Sequence, residues 1–254
     1  MSIFIPDSKL VCGVVPSPNH SARKGGARPN MIILHYTGME GAEAALERLC
    51  DRKAEVSSHY FVFENGRVFQ LVPEKRRAWH AGVSSWEGDT DINSRSIGVE
   101  IVNPGHDYGY PSFPAAQIKG LIALCRDIVR RNRIRADRVL AHSDVAAARK
   151  RDPGEKFPWQ RLSEAGVGLW VRPSTIRSGG VLKAGNRGEA ILDLQRSLAS
   201  YGYGLAASGV YDPATRNIVG AFQRHFRPAR VDGIADQSTL QTLARLLAAR
   251  DAIA

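Results

Sequence analysis

No run of about 18 consecutive apolar residues occurs in the 254-residue chain, so the sequence offers no membrane span. Cysteine is scarce: Cys12, Cys50 and Cys125 are odd in number and far apart, with no C-x-x-C pair. A disulfide framework and a cysteine-rich zinc module are thereby excluded, and each cysteine reads as a small buried or incidental residue. The opening MSIFIPDSKLVCGVVPSPNH lacks a basic segment followed by an apolar core of the usual length, so it does not read as a signal peptide. Acidic residues are also short, 25 Asp and Glu against 35 Lys and Arg, leaving +10. Such an excess favours an anionic partner: nucleic acid, a membrane surface or an acidic polymer such as a bacterial wall. The basic residues are scattered and form no nucleic-acid motif with interleaved aromatics, so no nucleic-acid partner is expected.

What is present is the composition of a globular protein, 43% hydrophobic and 24% charged, long enough for one or two domains. Pro, Ser, Thr and Gly crowd into VRPSTIRSGG, which reads as an interdomain linker. The expected division is a first domain over residues 1–172, a linker over 173–180 and a helical domain over 181–254. In the first part, MIILHYTG and SIGVEIVN read as buried strands. HYFVFENGRVFQLVP reads as a hairpin turning at Asn65-Gly66, and RVLAHSD as a last strand. EGAEAALERLCD and AAQIKGLIALCRDIVRRNRI carry helical spacing. Strands interleaved with helices predict an α/β fold, a central mixed sheet flanked by helices. The second part predicts a small three-helix domain, with Asp212 and Asp236 as N-caps of two similarly built helix starts.

Seven histidines are present, and context sorts them. His35 ends the apolar strand MIILH and His142 ends RVLAH, while Asp152 follows in a loop turned by Pro153-Gly154. Side chains at the ends of neighbouring strands can converge on one point. Two imidazoles and a carboxylate, with a fourth position open, make the donor set of a catalytic zinc site. On spacing alone a capped, salt-bridged loop is the commoner outcome of such a pattern. His59 reads as structural, and His20, His106 and His225 have no supporting context. Trp79 and Trp86 fit either a groove or the core.

Five segments, MIILHYTG, SSHYFVFENGRVFQLVPE, AWHAGVSSWEG, INSRSIGVEIVNPG and AHSDVAAARKRDPGEKFPW, appear in order over roughly residues 28–165. Together they resemble the zinc-dependent N-acetylmuramoyl-L-alanine amidases of the type 2 family, relatives of the peptidoglycan recognition proteins. The resemblance implies Zn2+ as cofactor and His35, His142 and Asp152 as its ligands. It implies Glu100 and Lys150 as catalytic partners, and His80 and Trp79 at the substrate, His80 either touching it or supporting a ligand from behind. The implied reaction is hydrolysis of the amide joining the lactyl group of N-acetylmuramic acid to L-alanine. Zinc would activate water and polarise the carbonyl, Glu100 would carry the proton, and Lys150 would face the developing oxyanion. Read without the resemblance, Glu100 is a buried acid paired with an arginine and Lys150 part of a solvated basic run with Arg149 and Arg151.

The segment from Leu182 to Leu246 resembles the small helical peptidoglycan-binding domain attached to wall hydrolases, which implies a tether to the wall. The expected partners are peptidoglycan or muropeptides. Two other functions are weighed against this one: a cytosolic recycling amidase restricted to soluble anhydro-muropeptides, and a non-catalytic peptidoglycan-binding protein. Intact metal and catalytic positions speak against the latter. The binding domain favours action in the periplasm or cell envelope, the absence of a recognisable signal peptide the cytoplasm.

Overall fold

The structure, a computed structural model, describes residues 4–253. Ten strands run in chain order: β1 (Val11–Val14), β2 (His20–Ala22), β3 (Met31–Tyr36), β4 (Tyr60–Val62), β5 (Val68–Gln70), β6 (Arg76–Ala78), β7 (Ser96–Ile101), β8 (Val139–Ala141), β9 (Val181–Leu182) and β10 (Ala235–Asp236). The helices are α1 (Ala42–Cys50), α2 (Ile92–Arg95), α3 (Ala115–Asn132), α4 (His142–Val145), α5 (Trp159–Glu164), α6 (Glu189–Tyr201), α7 (Pro213–Phe226) and α8 (Gln237–Asp251). Six strands form the central sheet in the order β1-β5-β4-β7-β3-β8. β3 runs parallel to both β7 and β8, and the predicted hairpin is the antiparallel pair β4/β5. The sheet is therefore mixed, as its sequence pattern predicts.

The period of two within β3 and β7 decides what each face does. Ile32 and Leu34 of β3 join Ile97, Val99 and Ile101 of β7 in one core cluster. The stripe Ile118, Leu121, Leu124, Cys125 and Ile128 of α3 covers them, and all are buried. The alternate residues, Met31, Ile33 and His35 of β3 and Ser96, Gly98 and Glu100 of β7, face the other way. Met31 and Ile33 there enter a core that continues without a break into the helical part, through Trp86, Leu194, Tyr203, Phe222 and Phe226.

The C-terminal helices are thus docked on the sheet rather than hung from a linker. Trp86 is fully buried against Tyr201 and Tyr203, ring centroids 5.7 and 5.0 Å away, which settles it as core rather than groove. The turn that ends α6 must come in bare beside it: a Cβ on Gly202 would lie 2.5 Å from the Trp86 ring, and the Glu87 N–H donates to Gly202 O at 2.8 Å. Asp212 and Asp236 cap α7 and α8 by accepting from the Thr215 and Thr239 N–H groups, each at 2.8 Å, as the sequence predicts.

Candidate active site and metal centre

His35 and Glu100 are direct partners across the parallel pair β3/β7, so their side chains leave the same face of the sheet side by side. His142 departs from expectation by one step: β8 ends at Ala141 and His142 is the first residue of the short helix α4. The chain then loops through 146–151 and returns, and the Ser143 N–H donates to Asp152 O at 3.0 Å. That bond closes the loop and sets Asp152 beside His142.

Three donor atoms converge. His35 Nδ1 lies 2.9 Å from His142 Nδ1 and 3.2 Å from Asp152 Oδ2, and His142 Nδ1 lies 2.9 Å from the same oxygen. All three residues are buried. The hydrogen bonds on the far side of each ring decide what the near side can offer. Ser96 Oγ spends its hydrogen on Ile92 O at 2.6 Å, so it accepts from His80 Nε2–H at 3.1 Å. His80 Nδ1 is left as an acceptor and takes His35 Nε2–H at 3.0 Å, which leaves a lone pair on His35 Nδ1. His142 Nε2–H points at Ala81 O, 3.2 Å away, leaving its Nδ1 bare as well. Two lone pairs and a carboxylate within about 3 Å of each other repel unless a cation lies among them. The spacing is close to the roughly 3.3 Å edge of a tetrahedral site with bonds of about 2.0 Å. The donor set therefore fits a metal ion.

The electrostatics agree with that fit. Burial, with His142 adding to it, lowers the His35 pKa to about 4 and favours the neutral ligand form. Burial works against the Asp152 charge, but its two histidine neighbours, His142 foremost, outweigh it and hold the carboxyl far below its usual range. Burial, with the Asp152 charge behind it, pushes Glu100 well above the ordinary carboxylate range, while Lys150 pulls it back.

A cavity of about 410 Å³ opens over these atoms, and Trp79, Glu100 and Lys150 line it with the three donors. Glu100 Oε2 is buried with no hydrogen-bond partner, so the alternative of an arginine-paired acid does not hold. The Lys150 side chain likewise makes no hydrogen bond or ion pair among the described residues. The basic run divides instead of acting as one solvated face. Arg151 pairs with Asp107 at 2.7 Å in the open, whereas Arg149 folds back to donate to Val83 O at 2.8 Å and to Ala81 O. His80 touches the cavity wall, but both its ring nitrogens are taken by protein. Of its two expected roles the geometry favours support of His35 over contact with substrate.

Two features escaped the sequence reading. Gly98 lets the His80 ring lie flat on β7, since a Cβ there would fall 2.5 Å from the ring. The alternation Ser96-x-Gly98-x-Glu100 is its visible trace. The other is His225, stacked between Trp159 and Phe226 at 3.7 and 3.8 Å. It donates from Nδ1 to Asp144 Oδ2 at 2.7 Å, and Tyr203 OH donates to Asp144 Oδ1 at 2.9 Å. Asp144 lies on the helix that carries His142, so the helical part grips the element that supplies one of the three converging donors. His59 is structural, as expected: its Nδ1 accepts from the Gly98 N–H and its Nε2 faces Arg76 O, each at 3.0 Å.

Comparison with known proteins agrees with this architecture. A family model described as N-acetylmuramoyl-L-alanine amidase matches residues 25–155, and one described as a peptidoglycan binding domain matches residues 187–243. The chain is 38% identical over 232 residues to the N-acetylmuramoyl-L-alanine amidase AmiD of Escherichia coli K12, covering 87% of this chain and 82% of that one. It is 32% identical over 165 residues to the 1,6-anhydro-N-acetylmuramyl-L-alanine amidase AmpD of Enterobacter cloacae, covering 58% and 86%. Among solved structures, AmiD of E. coli in complex with anhydro-N-acetylmuramic acid-L-Ala-D-γ-Glu-L-Lys aligns with a TM-score of 0.75 at 36% identity, over 92% of this chain and 94% of that one. AmpDH3 of Pseudomonas aeruginosa in complex with anhydromuramic pentapeptide aligns at 0.72 and 32%, over 92% and 96%. With the fold, the converging donors and these likenesses together, the chain belongs to the N-acetylmuramoyl-L-alanine amidase family, joined to a peptidoglycan-binding domain, and is an amide hydrolase of that family.

Proposed function

We propose that the protein is a zinc amidase that cuts the bond between N-acetylmuramic acid and L-alanine in the peptidoglycan polymer, with His35, His142 and Asp152 as the metal ligands. The single observation that carries this reading is the convergence of three buried donors beside two side chains, Glu100 and Lys150, that make no hydrogen bond or ion pair among the described residues. When bound, the metal supplies Lewis acidity toward water and the scissile carbonyl. Glu100 takes the proton of the attacking water at Oε2 and delivers it to the departing amine of L-alanine. Its high proton affinity, a product of burial, suits it to hold that proton between the two steps. Lys150 brings positive charge to the carbonyl oxygen as it becomes an oxyanion. Trp79, half-buried on the wall of the cavity, offers a flat apolar surface to the substrate. His80 and Ser96 keep the His35 lone pair turned inward.

The catalytic part spans 1–172 and the helical part 181–254, joined by 173–180. Polymeric wall as substrate places the site of action in the cell envelope, because a wall-binding part has little to offer an enzyme that acts only on soluble fragments. A second reading, hydrolysis of soluble anhydro-muropeptides, is favoured by the anhydro substrates that relatives are named for or bind. The deciding experiment digests intact sacculi with zinc-loaded protein, with and without EDTA, and identifies the products by mass spectrometry. Stem peptides with a free L-alanine amine, absent after chelation and restored by zinc, are expected. Intact sacculi together with cleavage of soluble anhydro-muropeptides would select the second reading, and no cleavage of either would sink both.

A further inference from the structure

A second cleft, of about 490 Å³, lies between the two parts of the chain. One wall is the loop that carries Arg149, Lys150 and Arg151, and the other is the face of α7 that carries Arg216 and Arg224. The same three loop residues line the catalytic cavity, so the two spaces share a wall. Five cations border the cleft and one carboxylate, Asp232, faces them. Asp232 Oδ1 already accepts from the Ile234 N–H at 2.9 Å and from Gln223 Nε2 at 3.2 Å. Arg149 and Arg151 have protein partners, as described above. The side chains of Lys150, Arg216 and Arg224 make no hydrogen bond or ion pair among the described residues.

Arg224 is the most telling of these. It is half-buried, and burial with Arg151 nearby disfavours its charge. Glu155 attracts it from a distance, but that carboxylate bonds His106 at 3.1 Å instead. A guanidinium withdrawn from water beside like charge, with all its donors free, has the electrostatics of a receptor for an anion. Folding alone gives no reason to gather three unpaired cations across a domain boundary, since like charges repel.

Resting on the amidase reading above, the substrate says which anion. The lactyl carboxyl of the sugar is consumed in the amide, so the negative charge of the polymer near the scissile bond belongs to the peptide stem. A γ-linked glutamate there carries a free α-carboxylate. We propose that the interdomain cleft is a carboxylate-binding site for peptide stems of the wall, with Arg216 and Arg224 as its specificity-determining residues. The helical part then reads the peptide beside the reaction centre, in addition to any hold on the polymer. The carboxylate comes from the stem being cut or from a neighbouring stem of the same polymer.

The test compares the zinc-loaded protein with R216Q, R224Q and the double variant, on soluble anhydro-muramyl-L-Ala-D-γ-Glu-L-Lys and on sacculi. Each lost charge-assisted bond should raise KM about tenfold and leave kcat unchanged, with the gap narrowing at raised salt. Amidation of the glutamate α-carboxylate should cost the wild type the same factor and the double variant nothing. A KM effect on the soluble substrate identifies the stem being cut, and an effect confined to sacculi identifies a neighbouring stem. Variants equal to wild type on both substrates would overturn the proposal. Calorimetry with free L-Ala-D-γ-Glu-L-Lys judges the cleft separately from catalysis. If the wild type binds this peptide and R224Q does not, the cleft stands even where no amide is cut. Equal melting temperatures show that the variants are folded.

Discussion

His35 turns its lone pair toward the candidate metal site because of bonds made two residues away. The order His35 Nε2–H to His80, His80 Nε2–H to Ser96 and Ser96 O–H to Ile92 O is fixed at its far end by a main-chain oxygen that can only accept. His80→Phe keeps the ring volume and removes the acceptor, so zinc affinity should fall roughly 10- to 100-fold, as for other groups that orient metal ligands. Competition with a chromophoric chelator would read this directly, and unchanged affinity would refute the assigned order. Glu100 should behave in the opposite way, since its proposed role is in proton transfer and not in holding the metal. Glu100→Gln should keep zinc and lose about 100-fold or more in kcat, and a variant with full turnover would remove it from the mechanism. The strand that carries Glu100 is legible in SIGVEI. Its unpaired state is not, because the absence of an arginine beside it depends on elements distant in sequence.

At the scale of elements, α3 is held to the sheet by a polar clasp as well as by its apolar stripe. Glu74 accepts from Arg131 Nη1 and Nη2 at 2.7 and 2.8 Å, from Asn132 Nδ2 at 3.0 Å and from Tyr60 OH at 2.6 Å. Burial opposes the charge on Glu74, but these bonds more than offset it and lower its pKa. A carboxylate with a folded pKa below its unfolded value stabilises the fold above the unfolded pKa. That contribution is lost as pH falls through the folded value. Glu74→Gln should therefore cost about 3 kcal/mol near neutrality, the usual result of breaking one side of a buried pair. The deficit should shrink below about pH 4.5, the ordinary value for this group. Urea midpoints of both proteins at two pH values test this, and a deficit independent of pH would show that packing, not charge, is responsible. The sequence makes α3 plain through its spacing, but the clasp ties Arg131 and Asn132 of that helix to a glutamate 57 and 58 positions away and has no local trace.

On the scale of the whole molecule, the sheet and the helical part share a core, and the Asp144–His225–Tyr203 bonds cross between them beside His142. The chain should therefore unfold in one transition. Tryptophan fluorescence, with Trp86 at the junction, and the helical circular dichroism signal should melt together, and two separated transitions would contradict a shared core. Trp86→Ala should cost about 3–5 kcal/mol, the range for removing a buried aromatic. By itself the sequence determined the strands β3, β4, β5, β7 and β8, the helices α1, α3, α6, α7 and α8, the placement of His35 and Glu100 on their strands, the helix caps Asp212 and Asp236, and the order of motifs that marks the family. Periodicity, capping and strand register are local, so they can be read along the chain. Only the tertiary structure decided that His142 starts a helix, that His80 stands behind His35, that Trp86 is core, and that Arg149 and Arg151 have different partners. It also made the helical part, expected as a tether, one wall of a cleft beside the candidate active site. Those outcomes depend on which surfaces meet once the sheet is covered, and burial against a distant segment leaves no periodic mark on the residues it joins.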